Sequence, residues 1–130
     1  VTDWRWPNFT PDEMACQHCG AKNMDPEFMD QLQALRDAYG RPMAVSSAYR
    51  CPDHPIEDDK DPEDEIESPH ETGRCVDVLC SHLDAYELLG LALEMGFTGI
   101  GVNQRGDSRF LHLDTLEDGP RRPRPHVWSY

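Results

Sequence analysis

Apolar positions change spacing from segment to segment along this chain, and the spacing predicts helices alternating with short strands. Phe28, Leu32, Leu35 and Tyr39 recur at intervals of four, three and four, the repeat of one buried helix face. Asp25-Pro26 is fitted to open that helix and Gly40 to stop it. Another helix is expected from Ser81, with Asp84 as its capping-box partner, through Leu88, Leu89, Ala92 and Leu93 to Gly96. Thr10-Pro11-Asp12-Glu13 has the N-cap, the proline and the capping glutamate of a further, short helix. Residues 43–48 are short and β-tolerant, and residues 74–80 alternate so that Cys75, Asp77 and Leu79 share one strand face. Residues 98–102 and 109–114 read as two strands joined by a turn-rich hairpin loop. Beyond Asp114 the chain is rich in Pro and Arg until Val127-Trp128. The pattern predicts an α+β fold, a small, mainly antiparallel sheet flanked by helices.

Charge narrows the class of partner. In 130 residues, 25 acids stand against 12 Lys or Arg, a net charge of −13. This length suits one domain, 1–130. So large an acidic surplus argues against a nucleic-acid partner, which needs clustered positive charge. The longest apolar run, 88–93, is far short of the ~20 residues that span a bilayer, so no membrane insertion is expected. The opening VTDWRWPNFT shows no signal-peptide pattern, and a monomer is expected. Residues 53–67 hold nine acids and one Lys, a net of −8, and read as a solvated loop.

The sharpest chemical pattern is Ser68-Pro-His70-Glu-Thr-Gly73-Arg-Cys75-Val-Asp77, with His112-Leu-Asp114 further on. Gly73 allows a tight reversal, so that His70 from a loop converges on Asp77 from a strand. His112, on another strand, completes a set of three ligands. Two imidazoles and a carboxylate, with a fourth position left for water, suit a catalytic zinc. Such a water becomes available as hydroxide near neutral pH.

This pattern resembles the M15 peptidases, zinc D-Ala-D-Ala carboxypeptidases and peptidoglycan endopeptidases that share a metal-site architecture with the Hedgehog signalling domain. ACQHCG, LRDAYGRP, SSAYRCPDH, MGFTGIGV, RFLHLD and VWSY extend the resemblance over nearly the whole chain, to a short phage and bacterial branch. The resemblance implies His70, Asp77 and His112 as zinc ligands and peptidoglycan peptide as substrate, acted on at the cell wall. Arg50 matches a substrate-facing arginine, suited to an oxyanion or a substrate carboxylate; pinning the acidic loop is its other reading. Ser68 matches a serine that positions the turn or touches the substrate.

Two departures from better-known members stand out. Arg109 and Phe110 occupy places where those enzymes carry a Glu or Asp, or a His, before the last ligand. Asp114 then becomes a candidate proton shuttle, because residues i and i+2 of a strand face one side; equally, it could orient a histidine. Glu71 and Asp107 are weaker alternatives. Cys75 stands in a small-residue position and reads as a small hydrophobe. The altered base position leaves a second function open, a zinc-binding interaction module with little or no turnover.

Cys16, Cys19, Cys51 and His54 form a CxxC…CxxH set compatible with a second, structural zinc; a disulfide and free thiols are the competing states. Cys80 is expected to be buried, and His18, His82 and His126 to be surface residues. Trp4, Trp6 and Trp128 are expected to pack over the core rather than to line a groove. Residues 53–67, between Arg50 and Ser68, suggest an insertion at the rim of a cleft.

Overall fold

The computed structural model describes residues 4–51 and 69–130. Helix α1 (Pro26–Tyr39) begins where the sequence predicts. The Asp25 side chain accepts from the Phe28 N–H at 2.9 Å, Pro26 sits at the start, and Gly40 closes the end at φ 72°. Its buried stripe, Phe28, Met29, Leu32, Leu35 and Tyr39, packs on the sheet and on α2 (His82–Glu94), which buries Ala85, Leu88 and Ala92. Ser81 takes the extended N-cap conformation but makes no side-chain cap bond. The expected box is absent because Asp84 pairs with Arg41 instead. Thr10 and Glu13 do exchange both capping-box bonds, at 2.7 and 3.2 Å, yet only a turn follows. The chain folds back at once, with the Cys16 N–H donating to the Ala21 carbonyl and the Gly20 N–H to the Cys16 carbonyl.

Strands β1 (Ala44–Ser47), β2 (Cys75–Leu79), β3 (Gly99–Asn103), β4 (Phe110–Asp114) and β5 (His126–Ser129) form one sheet in the order β1-β2-β4-β3-β5. All neighbours are antiparallel except β3 and β5, which run parallel. The architecture is α+β, as the sequence predicts. The strand β5 is the element the pattern misses: its four residues lie beyond a Pro- and Arg-rich stretch and show no apolar alternation.

Strand alternation divides the sheet into two faces. Val76, Val78, Ile100, Leu111 and Leu113 belong to the apolar core. Cys75, Asp77, His112 and Asp114 occupy the alternate positions and are buried as well. A sheet with one oily face and one buried polar face needs a partner for each polar group on the second. No helix among the described residues is long and apolar enough to cross a membrane.

Candidate metal centre

Register sets the site. Asp77 on β2 pairs with His112 on β4, which pairs with Gly101 on β3, which pairs with Trp128 on β5. In the next row Cys75 pairs with Asp114, and Asp114 with Gly99. Both glycines leave room on the polar face. A Cβ at Gly101 would lie 2.7 Å from the Trp128 indole, and one at Gly99 would run into the Asp114 carboxylate. Trp128 therefore lies across β3 with its ring 5.1 Å from that of His112.

His70 arrives from the 3-10 turn Pro69–Thr72, which ends on Gly73 at φ 72°. A side chain at Gly73 would meet the Asn23 carbonyl, and the Gly73 carbonyl accepts from the Asp25 N–H at 2.9 Å, so the turn rests on the start of α1. The Nδ1 of His70 is 2.7 Å from the Ala48 carbonyl, which can only accept. That nitrogen therefore carries a proton, and Nε2 is the nitrogen turned towards Asp77 and available to a metal. Nε2 lies 3.4 Å from Asp77 Oδ2. His112 is fixed in the opposite sense: its Nε2 is 2.7 Å from Asp114 Oδ2, and its Nδ1 is 3.2 Å from Asp77 Oδ1. The three groups converge through His70 Nε2, the Asp77 carboxylate and His112 Nδ1.

Electrostatics agree with a cation site. Burial would raise the carboxyl of Asp77, but hydrogen bonds from His112 and His70 outweigh it and hold it well below the usual range. Burial likewise opposes charge on His112, yet the carboxylates of Asp114 and Asp77 on either side raise its pKa. The same flanking carboxylates that favour a proton on His112 favour a divalent ion more strongly. Two imidazole nitrogens and an ionised carboxylate are a donor set that fits zinc.

Asp114 has no exposed surface. Its oxygens accept from His112, from Arg124 Nε at 2.9 Å and Nη2 at 2.7 Å, and from the Leu116 N–H at 3.2 Å. Arg50, just beyond β1, places Nη2 3.9 Å from Asp77 Oδ2, and its N–H donates to the His70 carbonyl. Glu71 is half-buried on the turn beside His70. Asp107 lines a separate depression with Leu79, His82 and Arg109, at the end of β4 away from Asp114. Ser68, His54 and the acidic segment 53–67 lie outside the described residues.

Four residues at the site were not singled out as such by the sequence. Cys75 is fully buried, as a small hydrophobe would be, but its sulfur lies within 4.8 Å of ligand atoms of His70 and His112. Its i, i+2 relation to Asp77 was the available signal. Arg124 and Trp128 come from the tail, and Trp128 flanks His112 while Trp4 and Trp6 pack on the core as expected. Tyr130 has its pKa raised by partial burial and the nearby Asp77 carboxylate, against a side-chain hydrogen bond with Trp128 and the Arg50 charge.

A second cluster comprises Cys16, Cys19 and Cys51, whose sulfurs lie within 4.8 Å of one another. Burial would raise the thiol of Cys16, but N–H groups of Cys51, Cys19 and His18 directed at its sulfur lower it to about 7. Cys80 is half-buried rather than buried, and burial pushes its thiol up to about 11.

No curated protein and no solved structure matches this chain. A family model described as Peptidase M15 matches residues 7–114, a span that contains His70, Asp77 and His112 and ends on Asp114. The chain belongs to the M15 peptidase family, whose members are zinc-dependent peptidases.

Proposed function

We propose that this protein hydrolyses peptide bonds of bacterial peptidoglycan, as a carboxypeptidase or a stem or cross-link endopeptidase, with zinc held by His70, Asp77 and His112. One observation carries the ligand assignment: each histidine has one nitrogen committed to an acceptor, leaving His70 Nε2 and His112 Nδ1 facing the same carboxylate. Zinc bound there supplies Lewis acidity towards a carbonyl and lowers the pKa of water.

The chain's own groups do the rest. Ala48 and Asp114 hold the two imidazoles in the tautomers and orientations that ligation requires. Arg50, near Asp77 and with a side chain only 15% exposed, is a fixed cation for a developing oxyanion or a substrate carboxylate. Trp128 flanks His112 on one side, with Tyr130 beside it at the surface, and offers an aromatic wall to a bound peptide. Asp114 acts as an orienting acceptor, because its carboxylate is enclosed and already engaged by His112, Arg124 and the Leu116 N–H.

The test is mass spectrometry of muropeptides after digestion of purified peptidoglycan, with and without a chelator. New peptide termini that disappear on chelation and return with zinc are expected. Zinc-loaded protein that binds peptidoglycan but cuts no bond would overturn the reading in favour of an interaction module.

A further inference from the structure

The Cys16-Gln-His18-Cys19-Gly20 turn has no part in the site around Asp77, yet it is built as closely. The chain reverses through the Gly20 N–H to the Cys16 carbonyl at 2.8 Å and the Cys16 N–H to the Ala21 carbonyl at 2.9 Å. Gly20 supplies the left-handed conformation, at φ 76°, that the turn needs. Cys51 meets this turn from the far end of β1, and its N–H donates to Cys16 Sγ at 3.3 Å. The Nδ1 of His18 lies 3.6 Å from Cys51 Sγ.

These separations can be compared with those of a metal site. Zinc–sulfur bonds of about 2.3 Å at tetrahedral angles put sulfurs roughly 3.8 Å apart, and put a sulfur and an imidazole nitrogen about 3.6 Å apart. The three sulfurs lie within 4.8 Å of one another, so a contraction of about an ångström brings them to that spacing; His18 is near Cys51 but not within that distance of all three, and its ring must turn towards Cys16 and Cys19 to complete the set. N–H groups directed at a sulfur favour its thiolate form, and a thiolate is what zinc binds.

We propose that Cys16, Cys19, Cys51 and His18 bind a second, structural zinc ion that fastens the N-terminal segment to the chain leaving β1. His18 thereby takes the place that the sequence pattern offered to His54. The fastening has a consequence for the first site. Cys51 follows Arg50, whose N–H donates to the His70 carbonyl, so the clamp fixes the backbone that carries Arg50 and abuts His70.

The test is zinc content and cobalt spectroscopy of the full chain. It does not depend on catalysis, so it can fail or succeed separately from the proposed function. A His70→Ala/His112→Ala chain is expected to retain one equivalent of zinc. Replaced by cobalt, that equivalent gives thiolate-to-cobalt charge-transfer absorption. Adding Cys16→Ser or Cys51→Ser removes both signals, His18→Ala removes or weakens them, and His54→Ala leaves them intact. Cys75→Ala, which keeps the first site's imidazoles and Asp77, guards against misfolding of the double variant and should retain the cobalt–thiolate band. Loss of that band in Cys75→Ala would overturn the proposal. So would a double variant that folds but holds no zinc, or a denatured chain with two fewer reactive thiols than its five cysteines. Sensitivity to His54→Ala in place of His18→Ala would overturn the assignment of the fourth ligand.

Discussion

Asp114 and the Ala48 carbonyl would act on a metal at the candidate centre through the far nitrogens of His112 and His70. Acceptors in such positions set ring orientation and ligand basicity, and losing one typically weakens metal binding 10–100-fold, an order-of-magnitude figure. Asp114→Asn is therefore expected to lower zinc affinity by about that factor, with full stoichiometry at saturation, in competition against a chromophoric chelator. Unchanged affinity with a collapsed kcat would instead make Asp114 the proton shuttle. The titration of His112 gives a second expectation. Its pKa is raised once hydrogen bonds to Asp114 and Asp77 overcome burial, and zinc must displace a proton to reach Nδ1. Affinity should be flat above the raised value and fall by about tenfold per pH unit below it, read from zinc titrations across pH. A dependence that begins only in the carboxylate range would remove His112 from the ligand set. Spacing picked out the residues that the fold brings together at the candidate centre, but not the bonds that orient their rings, because Ala48 and Arg124 are distant in sequence from the groups they affect.

At the level of elements, the helices and β1 to β4 follow the hydrophobic period closely. Pattern reading is weakest where pairing alone makes the element. Strand β5 exists through its parallel bonds to β3 and through the space left by Gly101, and neither feature is written in its own four residues. The short helix expected after Thr10 fails for a related reason: its capping box forms, but the return at Cys16 leaves no length for a helix. Gly101→Ala tests the dependence of β5 on that space. The added Cβ would lie 2.7 Å from the Trp128 indole, so the ring must swing off His112 or β5 must part from β3. A loss of about 1–3 kcal/mol is expected in urea unfolding, the range for overpacking, together with a red shift of tryptophan emission. Unchanged stability and emission would show that Trp128 does not depend on the gap. By contrast, Leu32→Ala, on the buried face of α1 with no exposed surface, should cost about 2–5 kcal/mol and leave zinc stoichiometry unaltered.

For the molecule as a whole, the family match stops at Asp114, while the groups that seal Asp114 come later in the chain. Arg124 grips both oxygens of Asp114 and lies over the Trp128 ring at 5.2 Å, tying the tail to the centre by one buried charge pair. The sequence marks the stretch beyond Asp114 only as rich in Pro and Arg, since nothing in its composition says which acid among 25 Arg124 meets. The pair carries a pH signature. Burial would raise Asp114, but His112 and Arg124 together hold it well below the usual range. A carboxylate lowered on folding adds stability that is fully present above its unfolded pKa of about 3.9. That contribution is lost as pH falls through the folded value. Arg124→Met keeps much of the side chain's bulk and removes its charge, leaving a buried carboxylate with only His112 and the Leu116 N–H as partners. In metal-free protein at neutral pH it should cost about 3–5 kcal/mol. Because the variant holds Asp114 less far below its normal pKa, the gap between the two proteins should narrow below about pH 4 as Asp114 takes up its proton. Urea unfolding of both proteins at a series of pH values measures that gap directly. A gap that stays constant from neutral to acid pH would mean that Arg124 holds the tail by packing on Trp128, with no net contribution from its charge.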